Sequence, residues 1–341
     1  MSTAKKSLIV LASLIASGVA AADYPAPVPM ADGAQADLFR LSNDGAVRIA
    51  YMPPATEFNY YIAIGEGVKA AAAEAGVEVF MLAPQSGADI NGQMGMIQDA
   101  ITQGVDAIIL STHDEAAAAP LVSRAVEKGI AVVIVNSDIG NFPTPVDGVV
   151  GYSQRNGTHA IGDYLVSRAG DEAIQVGVIE GQPGYHSTER VGGFLDAIGG
   201  HGNIQVVASI AGGWNVEGGN TAGMDLLQAN PDIDVLFAAN DYMIMGAALA
   251  AKALGKSDIL LLGNDGDTAA LEEIAGGAVT ATVNTSPYIM GEIALAVTLD
   301  ALNGTFAGGF VETPTAIVDA DTVLPVLQDA GSLYPQPSKS Y

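Results

Sequence analysis

The sequence contains no cysteine. Thiol catalysis, disulfide cross-links and cysteine-ligated metal sites are therefore excluded, and the folded chain must be stabilised by its hydrophobic core. Basic residues are also scarce, because 13 Lys and Arg stand against 38 Asp and Glu and give a formal net charge of −25. We therefore expect no binding to nucleic acid or to anionic lipid, both of which repel a strongly acidic protein.

Motifs that carry metal or enzyme chemistry are missing as well. The four histidines, at positions 113, 159, 186 and 201, include no pair that is four residues apart around a glutamate, which is the spacing of zinc hydrolases. No G-x-S-x-G is present, and GQPGYHST (181–188) lacks the Lys-Ser/Thr ending of a phosphate-binding loop. We expect no metal, no cofactor and no enzymatic activity.

The first 22 residues have the composition of an export signal. Lys5 and Lys6 precede the apolar run LIVLASLIASGVA, and the three alanines that end at Ala22 offer a small-residue cleavage site. The apolar run is shorter than the roughly 20 residues of a membrane-spanning helix, the alternative interpretation. We predict a signal peptide over 1–22, cleaved near Ala22, and export to a bacterial-type periplasm.

The rest of the chain alternates regularly between strand-like and helix-like runs. Residues 23–45 carry Pro and Gly without periodicity and predict an extended leader. Apolar runs such as VRIAYM (47–52), DAIILS (106–111) and IAVVIVN (130–136) predict buried strands, and runs with helical spacing separate them. The pattern restarts after about residue 150. Two such series in 341 residues predict two doubly wound α/β domains with parallel sheets.

Ligands bind to such sheets where loops leave the carboxyl ends of the strands. The residues at these ends are mainly amides, hydroxyls and carboxylates, which exchange hydrogen bonds with ligand hydroxyls. In FAANDYMIMGAAL (237–249), Asn240 and Asp241 stand together between a buried strand and a helix. Either side chain could cap the helix or contact a ligand.

Three segments resemble the periplasmic sugar-binding proteins of the ribose-binding type, which feed ABC importers. They are FAANDYMIMGA (237–247), GNDGD (263–267) and STERVGGF (187–194). The resemblance extends from about Val47 to Leu327. It implies the periplasmic binding protein type 1 fold, in which two doubly wound parallel-sheet lobes are joined by a three-strand hinge. The implied divisions are an N-terminal lobe of 46–151 plus 286–312, a C-terminal lobe of 152–285 plus 313–330, and a tail of 331–341.

The same resemblance implies a set of ligand-binding residues in the cleft between the lobes. It assigns Asn240 to the ligand and leaves Asp241 as the cap of the following helix. It also implies an aromatic pair from the first helix and an aromatic wall from the C-terminal lobe. The expected ligand contacts are Phe58, Tyr60, Tyr61, Ser111, Asn136, Ser137, Arg190, Trp214, Asn240, Asp265 and Thr285.

One departure from the family's pattern bears on the ligand. The ribose-type proteins carry an Asp-Arg pair at the end of the fourth strand, where this chain has Asn136-Ser137. The loss of that charged pair argues against ribose and favours another neutral polyhydroxylated ligand, such as a different sugar or a sugar alcohol. The implied function is a monomeric exported receptor that closes around its ligand and delivers it to an ABC transporter membrane permease.

Other functions are compatible with the same fold. The main alternative is a ligand-sensing partner of a membrane chemoreceptor or histidine kinase, which the sequence does not separate from a transport receptor. A transcriptional repressor with this core is disfavoured by the acidic charge, the signal peptide and the lack of an N-terminal helix-turn-helix.

Overall fold

The structure is a computed structural model that describes residues 24–36, 46–256 and 258–329. The predicted signal peptide and the tail lie outside these described residues. The strands are β1 (Arg48–Met52), β2 (Glu78–Met81), β3 (Ala107–Leu110), β4 (Ala131–Val135), β5 (Gly148–Gly151), β6 (Ile174–Glu180), β7 (Ile204–Ala211), β8 (Val235–Ala238), β9 (Leu260–Leu262), β10 (Ala281–Asn284), β11 (Phe310–Glu312) and β12 (Ala316–Asp319). The helices are α1 (Asn59–Ala75), α2 (Ile90–Gln103), α3 (Glu115–Glu127), α4 (Gln154–Ala169), α5 (Tyr185–Ile198), α6 (Val216–Ala229), α7 (Asp241–Ala253), α8 (Thr268–Ala275), α9 (Pro287–Leu302) and α10 (Val323–Gln328).

The strands form two sheets, as the alternating pattern predicts. The first sheet has the order β11-β5-β4-β3-β1-β2, and all its pairs are parallel. The second has the order β12-β10-β9-β8-β6-β7 and is parallel apart from β12, which runs antiparallel to β10 at the edge. The predicted fold of two doubly wound α/β lobes is confirmed, with one antiparallel strand added.

The central strands can be predicted from the sequence because they are buried. Every residue of β3, β4 and β8 is buried, so each strand is a continuous apolar run between two layers of helices. The sequence prediction omits β5, β11 and β12. Two of these, β11 and β12, are edge strands of three and four residues, and β5 is the short run GVVG.

The chain passes between the two sheets at three places. It leaves the first sheet after β5, returns to pack α9 against α1, and leaves again after β11. The crossing segments contain Tyr152, Thr285 and Thr313, whose side chains are all buried. These crossings bring the carboxyl ends of the two sheets to a common cleft.

Neighbouring helices approach through glycine. A Cβ at Gly67 of α1 would collide with the carbonyl oxygen of Tyr288, and one at Gly291 of α9 would collide with that of Ile64. The two backbones therefore lie in direct contact. Among the described residues, no helix is long and apolar enough to cross a membrane.

The described part of the leader, residues 24–36, lies along the outer edge of the first sheet. Val28 and Phe310 exchange two backbone hydrogen bonds of 2.7 Å, so the leader pairs antiparallel with β11. Further along the leader, Gln35 bridges to Val146. At its start, the Tyr24 hydroxyl donates to Asp300 at 2.6 Å. The leader thus covers an edge that would otherwise expose unpaired backbone groups.

Candidate functional site

A cavity of about 400 Å³ lies between the sheets, at the carboxyl ends of their strands. This figure counts all the empty space between the walls, including open solvent. Both sheets and the helices that follow them contribute to its wall. The lining residues are Phe58, Tyr60, Tyr61, His113, Asn136, His186, Arg190, Trp214, Asn240, Tyr242 and Asp265.

The start of α1 supplies an aromatic wall. Phe58 is the N-cap residue, and Tyr60 and Tyr61 follow in the first turn. The two tyrosine rings meet edge to face at 5.5 Å, so both face the cavity although they are adjacent in the helix. The Tyr60 hydroxyl lies 2.8 Å from Asn136 Oδ1 and 3.0 Å from Thr285 Oγ1. Burial raises the pKa of both phenols, which are therefore neutral donors.

Arg190 and Asp265 form the charged centre of the cavity. Arg190 Nη1 donates to Asp265 Oδ1 at 2.9 Å and to the carbonyl of Ala239 at 3.0 Å, and its Nε donates to Gln154 at 2.7 Å. The side chains of Arg190 and Asp265 are 5% and 7% exposed, so water screens this pair weakly. Burial raises the pKa of Asp265 to about 6, against the opposing effect of Arg190. At neutral pH the pair is ionised and carries no net charge.

Trp214 closes one side of this charged centre. The guanidinium carbon of Arg190 lies 5.4 Å from the centre of the Trp214 ring, within cation–π range. The ring also lies against Gly181, where any Cβ would collide with it. A flat indole beside an Arg–Asp pair suits the C–H face of a polyol.

Three lining residues have positive φ angles without being glycine. They are Asn136 at 61°, Trp214 at 70° and Asp265 at 135°. Each such conformation costs about 1–3 kcal/mol and persists only where neighbours hold it. Asn240 Nδ2 donates to the Trp214 carbonyl at 3.1 Å, and the Asp265 backbone is held by Val283 and Thr285. Backbone strain is thus concentrated in the cavity wall.

Asn240 and Asp241 have structural roles that differ from the sequence prediction. The prediction that Asp241 caps the helix is wrong, because Asn240 is the N-cap of α7 and its Oδ1 accepts from Met243 N at 2.9 Å. Asp241 is fully buried, and its Oδ2 accepts from the backbone of Gly266 and Asp267, each at 2.8 Å. It therefore fixes the loop that carries Asp265. Asn240 lines the cavity and caps the helix at once.

Three predicted contacts lie behind the wall rather than in it. Thr285 is fully buried and donates to the Asp265 carbonyl at 3.0 Å. Ser137 accepts from Ile139 N at 3.2 Å within its own turn. Ser111 is buried beside Tyr61. The sequence placed all three correctly at strand ends, but their short side chains do not reach the cavity.

Three lining residues lie outside the predicted site, namely His113, His186 and Tyr242. Burial lowers the pKa of both histidines, so they are neutral at neutral pH. His113 stands two residues beyond Ser111 at the end of β3, and Tyr242 follows Asp241. His113 follows a strand end, which was the signal available in the sequence. Tyr242 and His186 are each the second residue of a helix, α7 and α5 respectively, and carry no such signal.

The two sides of the cleft are in contact. Tyr185 of α5 donates to Asp138 Oδ1 at 2.9 Å, and the Tyr242 hydroxyl accepts from Asn59 N at 3.0 Å. The structure is therefore a closed arrangement with the cavity between the lobes. In the described parts of the chain, no group of three or more His, Asp or Glu side chains is arranged to hold a metal ion.

Comparison with known proteins places this architecture in a family. Residues 49–305 match the periplasmic binding protein domain. The D-ribose/D-allose-binding protein of Pseudomonas aeruginosa is 30% identical over 80% of this chain and 89% of its own. The ribose import binding protein RbsB of Bacillus subtilis is 31% identical over 72% of this chain and 78% of its own.

A solved structure supports the same assignment. An ABC transporter periplasmic solute binding protein from Actinobacillus succinogenes, with bound D-allose, superposes with a TM-score of 0.76 at 25% identity and covers 81% of this chain and 99% of its own. Because the fold and the family match span most of the described residues, this chain belongs to the periplasmic binding protein domain family.

Proposed function

We propose that this protein is a periplasmic solute receptor that captures a sugar or sugar alcohol in the cleft and delivers it to an ABC transporter permease. The observation that carries the proposal is the buried Arg190–Asp265 pair, held at 2.9 Å beside the Trp214 ring. It offers a donor and an acceptor for ligand hydroxyls next to a surface for the C–H face. The relatives are named for ribose or allose binding, and the allose complex shares the fold.

The lobes that close are proposed to be 46–151 plus 286–312 and 152–285 plus 313–330. The strands of these two segments belong to separate sheets, and the three crossings join them. One chain supplies every wall of the cavity, so a monomer suffices for binding. Ligand contacts to both lobes would favour the closed state by their differential affinity.

Export to the periplasm with cleavage near Ala22 is part of the proposal. Such cleavage leaves Tyr24, whose hydroxyl donates to Asp300, and the segment that pairs with β11. Mass spectrometry of the protein recovered from the periplasm tests this site, and retention of residues 1–22 there would contradict it.

The ligand-binding proposal is tested with pentoses, hexoses, their alcohols, inositols and nucleosides. Trp214 is the single tryptophan and lines the cavity, so its fluorescence reports binding directly. We expect a sugar or polyol to raise the melting temperature, change this fluorescence and reduce the radius of gyration by X-ray scattering. No response to any compound in this panel would contradict the proposed function.

A matched pair of variants localises the site. Asp265→Asn removes the ionic acceptor and is expected to weaken binding about 10- to 100-fold, since hydrogen bonds to charged groups contribute about 1.5–3 kcal/mol. Asp196→Asn is the control, because Asp196 is an exposed carboxylate paired with Arg155 at 2.8 Å, away from the cavity. Equal affinities for the two variants would place the ligand elsewhere.

A further inference from the structure

Two histidines face the cavity from opposite sides of the cleft. His113 follows β3 of the first sheet, whereas His186 is the second residue of α5, which packs against β6 of the second sheet. The two segments meet, because a Cβ at Gly184, the N-cap of α5, would lie 3.8 Å from the carbonyl oxygen of His113. Both imidazoles are therefore enclosed where the two sides of the cleft come together.

The closed cleft gives neither imidazole a carboxylate as a hydrogen-bond partner among the described residues. His186 is 8% exposed, and its Nδ1 is buried with no hydrogen-bond partner in the described part of the chain. His113 Nδ1 lies 3.4 Å from the carbonyl oxygen of Gly87, which is a neutral acceptor. A proton added to either ring would create a charge that has lost its water and gained no opposite charge in exchange, which is costly.

The groups that face His186 oppose its protonation. Burial lowers its pKa most, and Arg190 and His113 lower it further. Asp265 offsets part of the charge of Arg190, since the two are paired at 2.9 Å. The neighbouring ring of Tyr185, at 5.9 Å, is neutral because burial raises the pKa of its hydroxyl. The closed cleft therefore holds His186 in its neutral form.

His113 is subject to a weaker form of the same constraint. Burial has the largest effect and lowers its pKa; the Gly87 carbonyl raises it, Arg190 lowers it and Glu57 raises it. Glu57 is exposed, and its Oε1 already accepts from Gly87 N at 2.7 Å, so water screens its charge. The aromatic rings packed against His113 carry no charge at neutral pH. The net effect of these surroundings also favours neutral His113.

Separation of the lobes would reverse these conditions, because water would reach both imidazoles. An imidazole in water has a pKa of about 6.5 and gains a proton as the pH falls through that value. We propose that protonation of His113 and His186 opens the cleft at acidic pH, so that the protein captures its ligand at neutral pH and releases it on acidification. The inference rests on the proposed function, because it takes the closed cleft as the ligand-binding state.

The sign and size of the effect follow from linkage. Because each pKa is lower in the closed state than in the open one, closure is fully favoured above about pH 6.5 and is lost as the pH falls. A histidine that stays neutral in the closed cleft and titrates at about 6.5 in the open one weakens closure about 25-fold between pH 7 and pH 5. Two such histidines lower the affinity for a ligand of the closed state by up to about 600-fold.

Proton NMR of the four imidazoles in the whole protein tests the proposal. The side chain of His159 is 44% exposed and that of His201 is exposed, and neither lines the cavity, so both serve as internal references. Saturation with the tightest-binding compound of the sugar, polyol and nucleoside panel should lower the apparent pKa of His113 and His186 and leave the reference signals unchanged. Unchanged pKa values at both cleft histidines, with a compound bound, overturn the inference and leave the proposed function standing.

Variants separate the histidines from Asp265, whose pKa of about 6 lies in the same range. The double variant His113→Gln/His186→Gln removes both titrating groups and keeps polar side chains. We expect calorimetry to show at least a 10-fold smaller loss of affinity between pH 7 and pH 5 in this variant than in wild type. His201→Gln is the control and should keep the wild-type loss. An equal loss in wild type and the double variant overturns the inference.

X-ray scattering of the protein alone covers the outcome in which no compound binds, which would contradict the proposed function. Wild type should have a larger radius of gyration at pH 5 than at pH 7.5, and the double variant should have the same radius at both. Under that outcome, an equal change in the two proteins, or no change in either, overturns the pH switch as well. Expansion of wild type alone would support the switch independently of the ligand.

Discussion

Replacing Asp241 by alanine is the most informative single perturbation of the site. It distinguishes a role as the cap of α7, which the sequence predicted, from a role in holding the loop of Asp265, which the structure shows. A residue that only capped a helix would cost about 1 kcal/mol on removal. In the structure, Asp241 Oδ2 accepts from two backbone N–H groups, and Thr282 donates to its Oδ1 at 2.6 Å. The expected cost is therefore considerably larger than that of a lost cap.

The magnitude follows from the groups left without partners. Two buried backbone donors cost about 1–2 kcal/mol each, and the Thr282 hydroxyl adds about 1 kcal/mol, so Asp241→Ala should lower the free energy of unfolding by about 3–5 kcal/mol. Asn240→Ala should cost about 1–2 kcal/mol, for a lost cap and one bond to the Trp214 carbonyl. Urea unfolding of the two variants measures both values. A smaller loss for Asp241→Ala than for Asn240→Ala would refute the assignment.

The titration of Asp241 adds a second readout. Burial raises its pKa to about 8, whereas an unfolded aspartate titrates near 3.9. Because the folded pKa is the higher one, the wild-type free energy of unfolding falls as pH rises from about 4 to about 8. Asp241→Asn keeps an acceptor for Gly266 N and Asp267 N and does not titrate. We expect this variant to gain stability relative to wild type as the pH rises from about 4 to about 8, and a constant difference would contradict the titration.

Three further predictions concern packing, pH and closure. Gly291→Ala should destabilise the protein by about 1–3 kcal/mol or more through its clash with α1, whereas Gly95→Ala, in a helix with open space around it, should be neutral or stabilising in the same thermal unfolding assay. Ligand affinity should be constant above pH 7 and fall as pH drops below about 6, because Asp265 then becomes protonated, and a flat calorimetric pH profile would exclude it as the acceptor. Tyr185→Phe should weaken affinity several-fold by removing a bond across the cleft, while Tyr164→Phe, whose 3.3 Å bond lies within one lobe, should not.

The fold was largely predictable because burial on both faces leaves a direct trace in the sequence. The strands β3, β4 and β8 are apolar at every position, and the helices between them carry the 3.6-residue spacing. The short edge strands β11 and β12 leave a weaker trace, since part of their surface faces solvent. The antiparallel direction of β12 follows from the third crossing, which no local pattern encodes.

The sequence predicted the position of the cavity only through the rule that ligands bind at the carboxyl ends of parallel strands. That rule brought Asn136 and Asp265 together, and the family resemblance added Arg190, which lies within α5. The rule does not say whether a side chain at a strand end extends into the cavity. Ser137 and Thr285 were therefore expected to line the cavity, but they lie behind its wall. Reach depends on backbone direction at the end of each strand, which tertiary contacts decide.

The wrong assignment of the helix cap to Asp241 has the same origin. Both residues are good N-caps, and the choice between them depends on a distant part of the chain. A Cβ at Gly263 would collide with Asp241 Oδ1, so glycine at that position creates the space that the carboxylate occupies. The sequence contains that glycine within GNDGD, but its proximity to Asp241 exists only in the fold.

The departures from local rules are concentrated in one place, and this concentration identifies the functional region. Asn136, Trp214 and Asp265 adopt positive φ angles in the cavity wall, Arg190 and Asp265 are a buried ion pair, and His186 is buried without a hydrogen-bond partner among the described residues. Each of these features lowers stability, and apolar side chains would pack the same space at lower free energy. A cleft that served only to join two lobes would not need them. Their joint presence is explained by a ligand that completes the hydrogen bonds of Arg190, Asp265 and His186 and so recovers part of that free energy on binding.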